Sequence, residues 1–487
     1  MRASLVFFLA LSAAGCSRAQ DAGCDLTYGT TTDRRAIQAA METRDPAQVA
    51  AAIDRAKETR GAQVGCPELA LTERLPADTA RPAYADVREV WHRGLGRSIQ
   101  TFEPACPSTG RGPAAAALGA YHARLAGEFD ALPQLANFAV MQEAQQFTAA
   151  RGARPGVPGV GVYGYYFDEG RSDACALGGI ARQGVDFMCS RFPETCPRLK
   201  NGPFTGLRFG VRDHVRRDGD WIGDPGGAGY DMGWATVMMV EATLQQPVDG
   251  ADRWLGSALL AGEWALRQPL VTNHNYTAKL VWLLAQLYAI TGRTDFRDGL
   301  VERLEANILP GVLTDLDHDG IVDGTATAFA DLVPTARRPG RMWDGHNALP
   351  WYHAMNAWAV VEAYVAFRDR GDNALAERYR PFALLMTDSL AAEFVEAGIP
   401  AGAGVAYQDV PFGLLLALWK IAQHEADPQP LWEEAAWAIW NAGVLQEADG
   451  PVAVSVPLYL LVLGETPYTP LPERARRLRS ILKPSPR

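Results

Sequence analysis

The sequence predicts an all-α protein, an (α/α) toroid of about six helical hairpins carrying a disulfide-stabilised, loop-rich insertion. Three observations lead there. Helices apolar on every side alternate with helices apolar along one stripe, the alternation recurs along the chain, and strand signals are scarce. With 487 residues, 48% hydrophobic and 21% charged, the chain suffices for one large core or two ordinary domains. A two-domain helical protein, divided within the Gly- and Pro-rich stretch after Arg151, is the chief alternative.

The first element is a targeting signal. Met1-Arg2-Ala3-Ser4 supplies a charged start, Leu5 to Leu11 a short apolar run, and Ala13-Ala14-Gly15-Cys16 a small-residue cleavage site. The run is too short to span a bilayer. Residues 1–16 resemble a lipoprotein signal peptide and lipobox, with Ala13 where Leu is usual; an ordinary signal peptide cut elsewhere is the alternative. Acylation of Cys16, followed by Ser17, implies a lipid anchor in the outer membrane and a periplasmic or cell-surface location.

Residues 17–110 form an N-terminal helical segment. Beyond Cys16 the chain holds Cys24, Cys66, Cys106, Cys175, Cys189 and Cys196, an even set that in an exported protein predicts disulfides. No Cys-x-x-Cys spacing supports a metal site instead. Cys24 and Cys66 flank a helical hairpin. Pairing is left open.

Residues 111–487 are assigned to the toroid, with the insertion at 151–228. Runs such as Gly156-Val157-Pro158-Gly159 cannot continue a helix, yet Tyr163, Tyr165, Tyr166 and Phe167 are too aromatic for a bare linker. A lid and a stabilised insertion without a role are both consistent with that composition. Among the hairpins, Tyr276 to Ile290 is apolar all round and ends at Gly292, while the segment capped by Thr294 carries Phe296, Leu300, Val301, Leu304 and Ile308 along one face. One is an inner helix, the other an outer one. Ala354 to Phe367 with Leu375 to Phe394, Val410 to Ala422 with Leu431 to Trp440, and Gly229 to Leu244 with Trp254 to Leu266 repeat the order. Weaker pairs lie near Ala114 to Ala150 and Val454 to Leu482.

A toroid gathers the N-terminal ends of its inner helices on one rim. Tyr230-Asp231, His274-Asn275, His346-Asn347 and Tyr407-Gln408-Asp409 then face a shared cavity, and the unpaired N–H groups there suit an anionic ligand. Simple helix capping is the competing explanation.

These residues resemble the toroid-type alginate lyases, whose motifs are Asn-Asn-His-x-Tyr-Trp at one inner helix and Ala-Leu-x-Tyr-His, preceded by Arg, at the next. This chain has Thr272-Asn273-His274-Asn275-Tyr276-Thr277, then Arg341 and Ala348-Leu349-Pro350-Trp351-Tyr352-His353. Thr272 and Thr277 depart from the pattern, and one extra residue separates Leu349 from Tyr352. The resemblance spans Gly229 to Phe394. It implies β-elimination at a uronate, with Asn273, His274 and Arg341 holding the carboxylate and Tyr352 acting as base and then acid. Tyr276 and Trp343 are candidates for stacking on sugar rings, with Tyr230, Asp231, Asn275, His346, Asn347 and Asp409 lining the substrate track.

Charge narrows the partners. Lys plus Arg 46 against Asp plus Glu 56 gives a formal charge of −10, which argues against nucleic acid and gives no global attraction for a polyanion. Local clusters at Arg208, Arg212, His214, Arg216 and Arg217, and at Arg337, Arg338 and Arg341, offer a substrate track or plain solvated surface. Asp315, Asp317, Asp319 and Asp323 around Gly320 resemble a calcium loop, although Ala326 occupies the position where an EF-hand has Glu; a structural calcium or a solvated turn follows. No catalytic cofactor is expected. Two further functions fit the rim: an inverting glycosidase drawing two carboxylates from Asp224, Asp231, Asp344 and Asp409, and a glycan-binding lipoprotein without catalysis.

Overall fold

A computed structural model describes residues 31–61, 74–83, 265–314, 340–344, 350–400, 409–428, 430–441 and 469–478, with Asn347 and scattered short stretches between them. This described part is predominantly helical. The N-terminal hairpin pairs α1 (Thr31–Thr43) with α2 (Pro46–Gly61). Asp45 makes the turn: its Oδ1 accepts the Ala47 N–H at 2.9 Å, capping α2 ahead of Pro46. The hairpin is not a separate body, because Ile37, Met41, Val49 and Ile53 share one buried cluster with Leu270, Ala306, Leu313 and Trp343. Arg44 ties it further, reaching Glu302 at 2.8 Å and the Gln268 carbonyl at 3.3 Å.

Three consecutive hairpins follow in two layers. The inner helices are α3 (His274–Thr291), α5 (Pro350–Arg370) and α7 (Asp409–His424); the outer ones are α4 (Thr294–Arg303), α6 (Asn373–Ala392) and α8 (Pro430–Asn441). Helix α5 packs against α3 on one side, α7 on the other and α6 outside, while α4 backs α3 and α8 backs α6 and α7. All-round apolarity dictates this placement: from His274 to Ile290 every residue of α3 except Tyr276 is buried. Trp282 and Trp358, with ring centroids 3.8 Å apart, join α3 to α5. Lys279 lies under the same indoles, 4.6 Å from the Trp358 centroid, and Lys420 of α7 pairs with Glu362 of α5 at 2.5 Å.

Close approach explains two glycines before α3. A Cβ on Gly233 would stand 2.6 Å from the Lys279 carbonyl oxygen, and one on Gly262 would meet Leu287 and Phe296. The described helical residues of the 229–266 pair therefore pack on α3 and α4. Short strands complete the described part: β1 (Arg74–Leu75) pairs with β6 (Ile399–Pro400), and between residues 151 and 228 β2 (Gly164–Tyr166) pairs with β3 (Leu207–Phe209) and β4 (Arg216–Arg217) with β5 (Asp220–Trp221), all antiparallel. Near the C-terminus α9 (Leu471–Arg474) packs against α3 and α5.

Several boundaries differ from the sequence expectation. Helix α5 starts at Pro350 rather than Ala354, since proline suits a first turn, and so Tyr352 and His353 are helical. Thr294 is the first residue of α4, with Arg293 in the extended N-cap conformation, φ −67° and ψ 126°; Arg293 and Asp295 form an ion pair at 2.6 Å across that entrance. Gly292 ends α3 in the left-handed region at φ 68°, as its sequence position predicts. Two of the outer helices, α4 and α6, then widen into π-turns, Leu304–Ile308 after α4 and Glu393–Ala397 after α6. The cysteines and the expected pairs at 114–150 and 454–482, apart from the stretch containing α9, lie outside the described residues. Among the described residues no helix is long and apolar enough to cross a membrane.

Candidate functional site

The site is built on the entrance of α3. Asn273 is the N-cap and His274, 1% exposed, the first helical residue. His274 Nε2 accepts the Trp343 indole N–H at 3.1 Å, and an indole nitrogen can only donate. His274 Nδ1 lies 3.2 Å from Asn307 Oδ1. The orientation of that amide follows from Asn307 Nδ2 donating to the Val271 carbonyl at 2.8 Å. The ring is therefore the neutral tautomer with its proton on Nδ1. Asp344 Oδ2 stands 3.9 Å from Nε2, beyond hydrogen-bond range. The backbone of Gly311 seals the other side: a Cβ there would come within 3.0 Å of Nε2.

The second helix entrance meets the first through asparagines. Asn347 Oδ1 accepts the Asn275 backbone N–H at 2.9 Å and the Asn275 side-chain amide at 3.2 Å. Asn275 Nδ2 also donates to Asn273 Oδ1 at 2.6 Å. Asn356, inside α5, donates both to Asn347 Oδ1 at 3.3 Å and to the Tyr352 carbonyl at 2.9 Å. Behind them Asp344, fully buried, accepts the Asn347 backbone N–H at 2.8 Å and its side-chain amide at 3.1 Å on each oxygen. Asp344, Asn347, Asn275 and Asn273 thus share one buried hydrogen-bonded network, which Tyr352 joins through its backbone, while Trp343, His274 and Asn307 form a second hydrogen-bonded chain beside it.

Arg341 has a different environment. Its guanidinium, 0% exposed, forms an ion pair at 2.8 Å with the equally buried Glu393 of the second π-turn. The backbone of Gly340, at φ 92°, brings this segment against α6, where a Cβ would stand 2.4 Å from the Leu385 carbonyl oxygen. His353 belongs to the same side of α5. Its Nε2 donates to the Met386 carbonyl at 3.1 Å, and burial, reinforced by the Arg341 charge, holds its pKa well below the ordinary histidine value. Tyr352 and Tyr276 are half-buried at the entrances of α5 and α3.

The remaining candidates are only partly placed. Asp409 is the first residue of α7. Tyr230, Asp231, His346, Cys16 and the acidic loop Asp315, Asp317, Asp319 and Asp323 lie outside the described residues. Sequence reasoning missed Asn307, Asn356 and Glu393. Two of them had a signal: Asn356 is a lone amide in a largely apolar helix, and Asn307 interrupts the apolar stripe between Leu304 and Ile308. Comparison with known protein families, characterised proteins and solved structures finds no match for this chain.

Proposed function

We propose that this protein is an exported, lipid-anchored polysaccharide lyase on an (α/α) toroid with a disulfide-stabilised insertion, cleaving a uronate-containing, alginate-like polysaccharide by β-elimination. One observation carries the proposal: the hydrogen-bonded chain Asn273–Asn275–Asn347–Asn356–Tyr352, which ties an amide at one inner-helix entrance to a tyrosine at the next. The Asn273 amide donates to the uronate carboxylate and stabilises charge that develops as the C5–H bond breaks. Tyr352, acting as its phenolate, takes the C5 proton, the C5–H electron pair forms the C4=C5 double bond as the C4–O bond breaks, and the phenol returns the proton to the leaving oxygen. The ring nitrogens of His274 and the guanidinium of Arg341 face protein partners, so in this assignment they hold the site together rather than the substrate. Tyr276 stacks on a sugar ring, and calcium at the acidic loop is structural.

The glycosidase alternative draws less support. Asp344 is fully buried with both oxygens hydrogen-bonded to Asn347, a poor setting for an acid or base that must meet a glycosidic oxygen. The test is incubation of the full-length protein with alginate and other polyuronates. Ultraviolet-absorbing unsaturated ends, lost in Tyr352→Phe, are the expected result. New reducing ends without absorbance would establish hydrolysis, and binding without either would establish a glycan-binding protein.

A further inference from the structure

We infer that Asp344 is a positioning residue: through Asn347 and Asn275 it turns the Asn273 amide so that its NH2 group, and not its oxygen, meets a uronate carboxylate. This rests on the lyase assignment above. An amide chain has no intrinsic direction, because each member can rotate end for end and exchange donor for acceptor. A group at one end that can only accept removes that freedom. Asp344 is such a group: it is fully buried and takes the Asn347 side-chain amide at 3.1 Å on each oxygen as well as the Asn347 backbone N–H at 2.8 Å.

With Asn347 Nδ2 held there, Asn347 Oδ1 faces α3. It meets the Asn275 backbone N–H at 2.9 Å, a group that can only donate, and the Asn275 side-chain amide at 3.2 Å. Asn275 Nδ2 in turn donates to Asn273 Oδ1 at 2.6 Å. The direction set at Asp344 is thereby carried to Asn273. Its oxygen is engaged inward, and among the described residues nothing accepts from its Nδ2. Nor does the Asn273 side chain cap its own helix, since Asn347 caps it instead. Its donors sit at the positive end of α3, which suits an anion.

Replacing Asp344 by Asn removes the acceptor-only end without changing shape. Asn347 can then rotate, and its NH2 would face the Asn275 N–H, donor against donor. Moving the charge one step along, Asp344→Asn with Asn347→Asp, restores direction: a carboxylate at position 347 accepts from Asn275 and from the new amide behind it. Loss of packing alone would not be repaired by relocating the charge.

The experiment measures calorimetric binding of an alginate tetrasaccharide and its carboxyl-reduced neutral counterpart to the full chain in the Tyr352→Phe background. With D344N added, the acidic oligomer is expected to bind about tenfold more weakly while the neutral one is unchanged, and D344N/N347D is expected to recover discrimination to within about threefold of the Tyr352→Phe protein. Retained discrimination in D344N, or no recovery in the double variant, would overturn the role of Asp344. Where D344N fails to fold, the double variant decides alone, recovered discrimination supporting the role and lost discrimination refuting it. No preference for the acidic oligomer in the Tyr352→Phe protein itself would instead refute the lyase assignment, a result separable from the others.

Discussion

Asn347 Oδ1 lies 2.9 Å from the backbone nitrogen of Asn275, so the loop leading into α5 caps the N-terminus of α3. The two His-Asn pairs of the sequence are therefore coupled through their asparagines. Capping and site-building are one arrangement: the amide that caps α3 also anchors Asn356 and the Asn275 side chain, which in turn holds Asn273.

Asn347→Ala should be among the most destabilising polar substitutions in the described part of the chain. It strips an acceptor from the Asn275 N–H and from two side-chain amides and a donor from buried Asp344, at a cost of about 3 kcal/mol. Urea unfolding measures the loss. A change below about 0.5 kcal/mol would show that these groups find water or other partners.

The Arg341–Glu393 pair is buried on both sides, and its removal should be strongly non-additive. Either Arg341→Met or Glu393→Leu alone leaves an uncompensated buried charge and should cost about 3–5 kcal/mol, whereas the double variant should recover most of that loss. A double-mutant cycle gives the coupling. Additive losses would place the two charges in water rather than in each other's field.

Stability should also depend on pH through His353. The fully buried ring has a pKa held well below the ordinary histidine value, while the unfolded ring titrates near about 6.5. Below that pH the unfolded chain binds a proton the folded one does not, so stability is fully present above about pH 6.5 and declines as pH falls. The contribution reaches about 1.4 kcal/mol per pH unit. Chemical unfolding of wild type and His353→Gln between about pH 5 and 8 checks this, and equal slopes in the two proteins would rule it out.

Helix existence and layer were legible in the sequence because burial leaves a periodic trace: Leu280 to Tyr288 is apolar all round, and Phe296, Leu300 and Leu304 mark one face. The meeting of the α3 and α5 entrances was legible as a consequence of layering. What was hidden is partner choice. Arg341 stands in a motif suggesting a carboxylate ligand, but its partner Glu393 is contributed by a π-turn that regular 3.6-residue periodicity does not forecast. Asn307 reaches His274 from the other π-turn for the same reason. His274 in turn has its tautomer set by Trp343 and Asn307, contacts that no local spacing encodes.

The N-terminal hairpin should behave as part of the site's scaffold. Met41, 0% exposed, places its sulfur 3.4 Å from Asn307 Nδ2, the amide that orients His274, and Trp343 shares the hairpin's apolar cluster. Truncating Met41 to Ala removes buried volume at that junction and should cost about 2–4 kcal/mol. The loss should also be local: hydrogen exchange should rise at Gly311–Leu313 and Gly340–Trp343, whose backbones are bonded to each other against this cluster, before it rises in α5 and α6. Uniform loss of protection would mean that the hairpin supports the whole helical body, and unchanged protection with unchanged stability would mean that it merely rests on the surface.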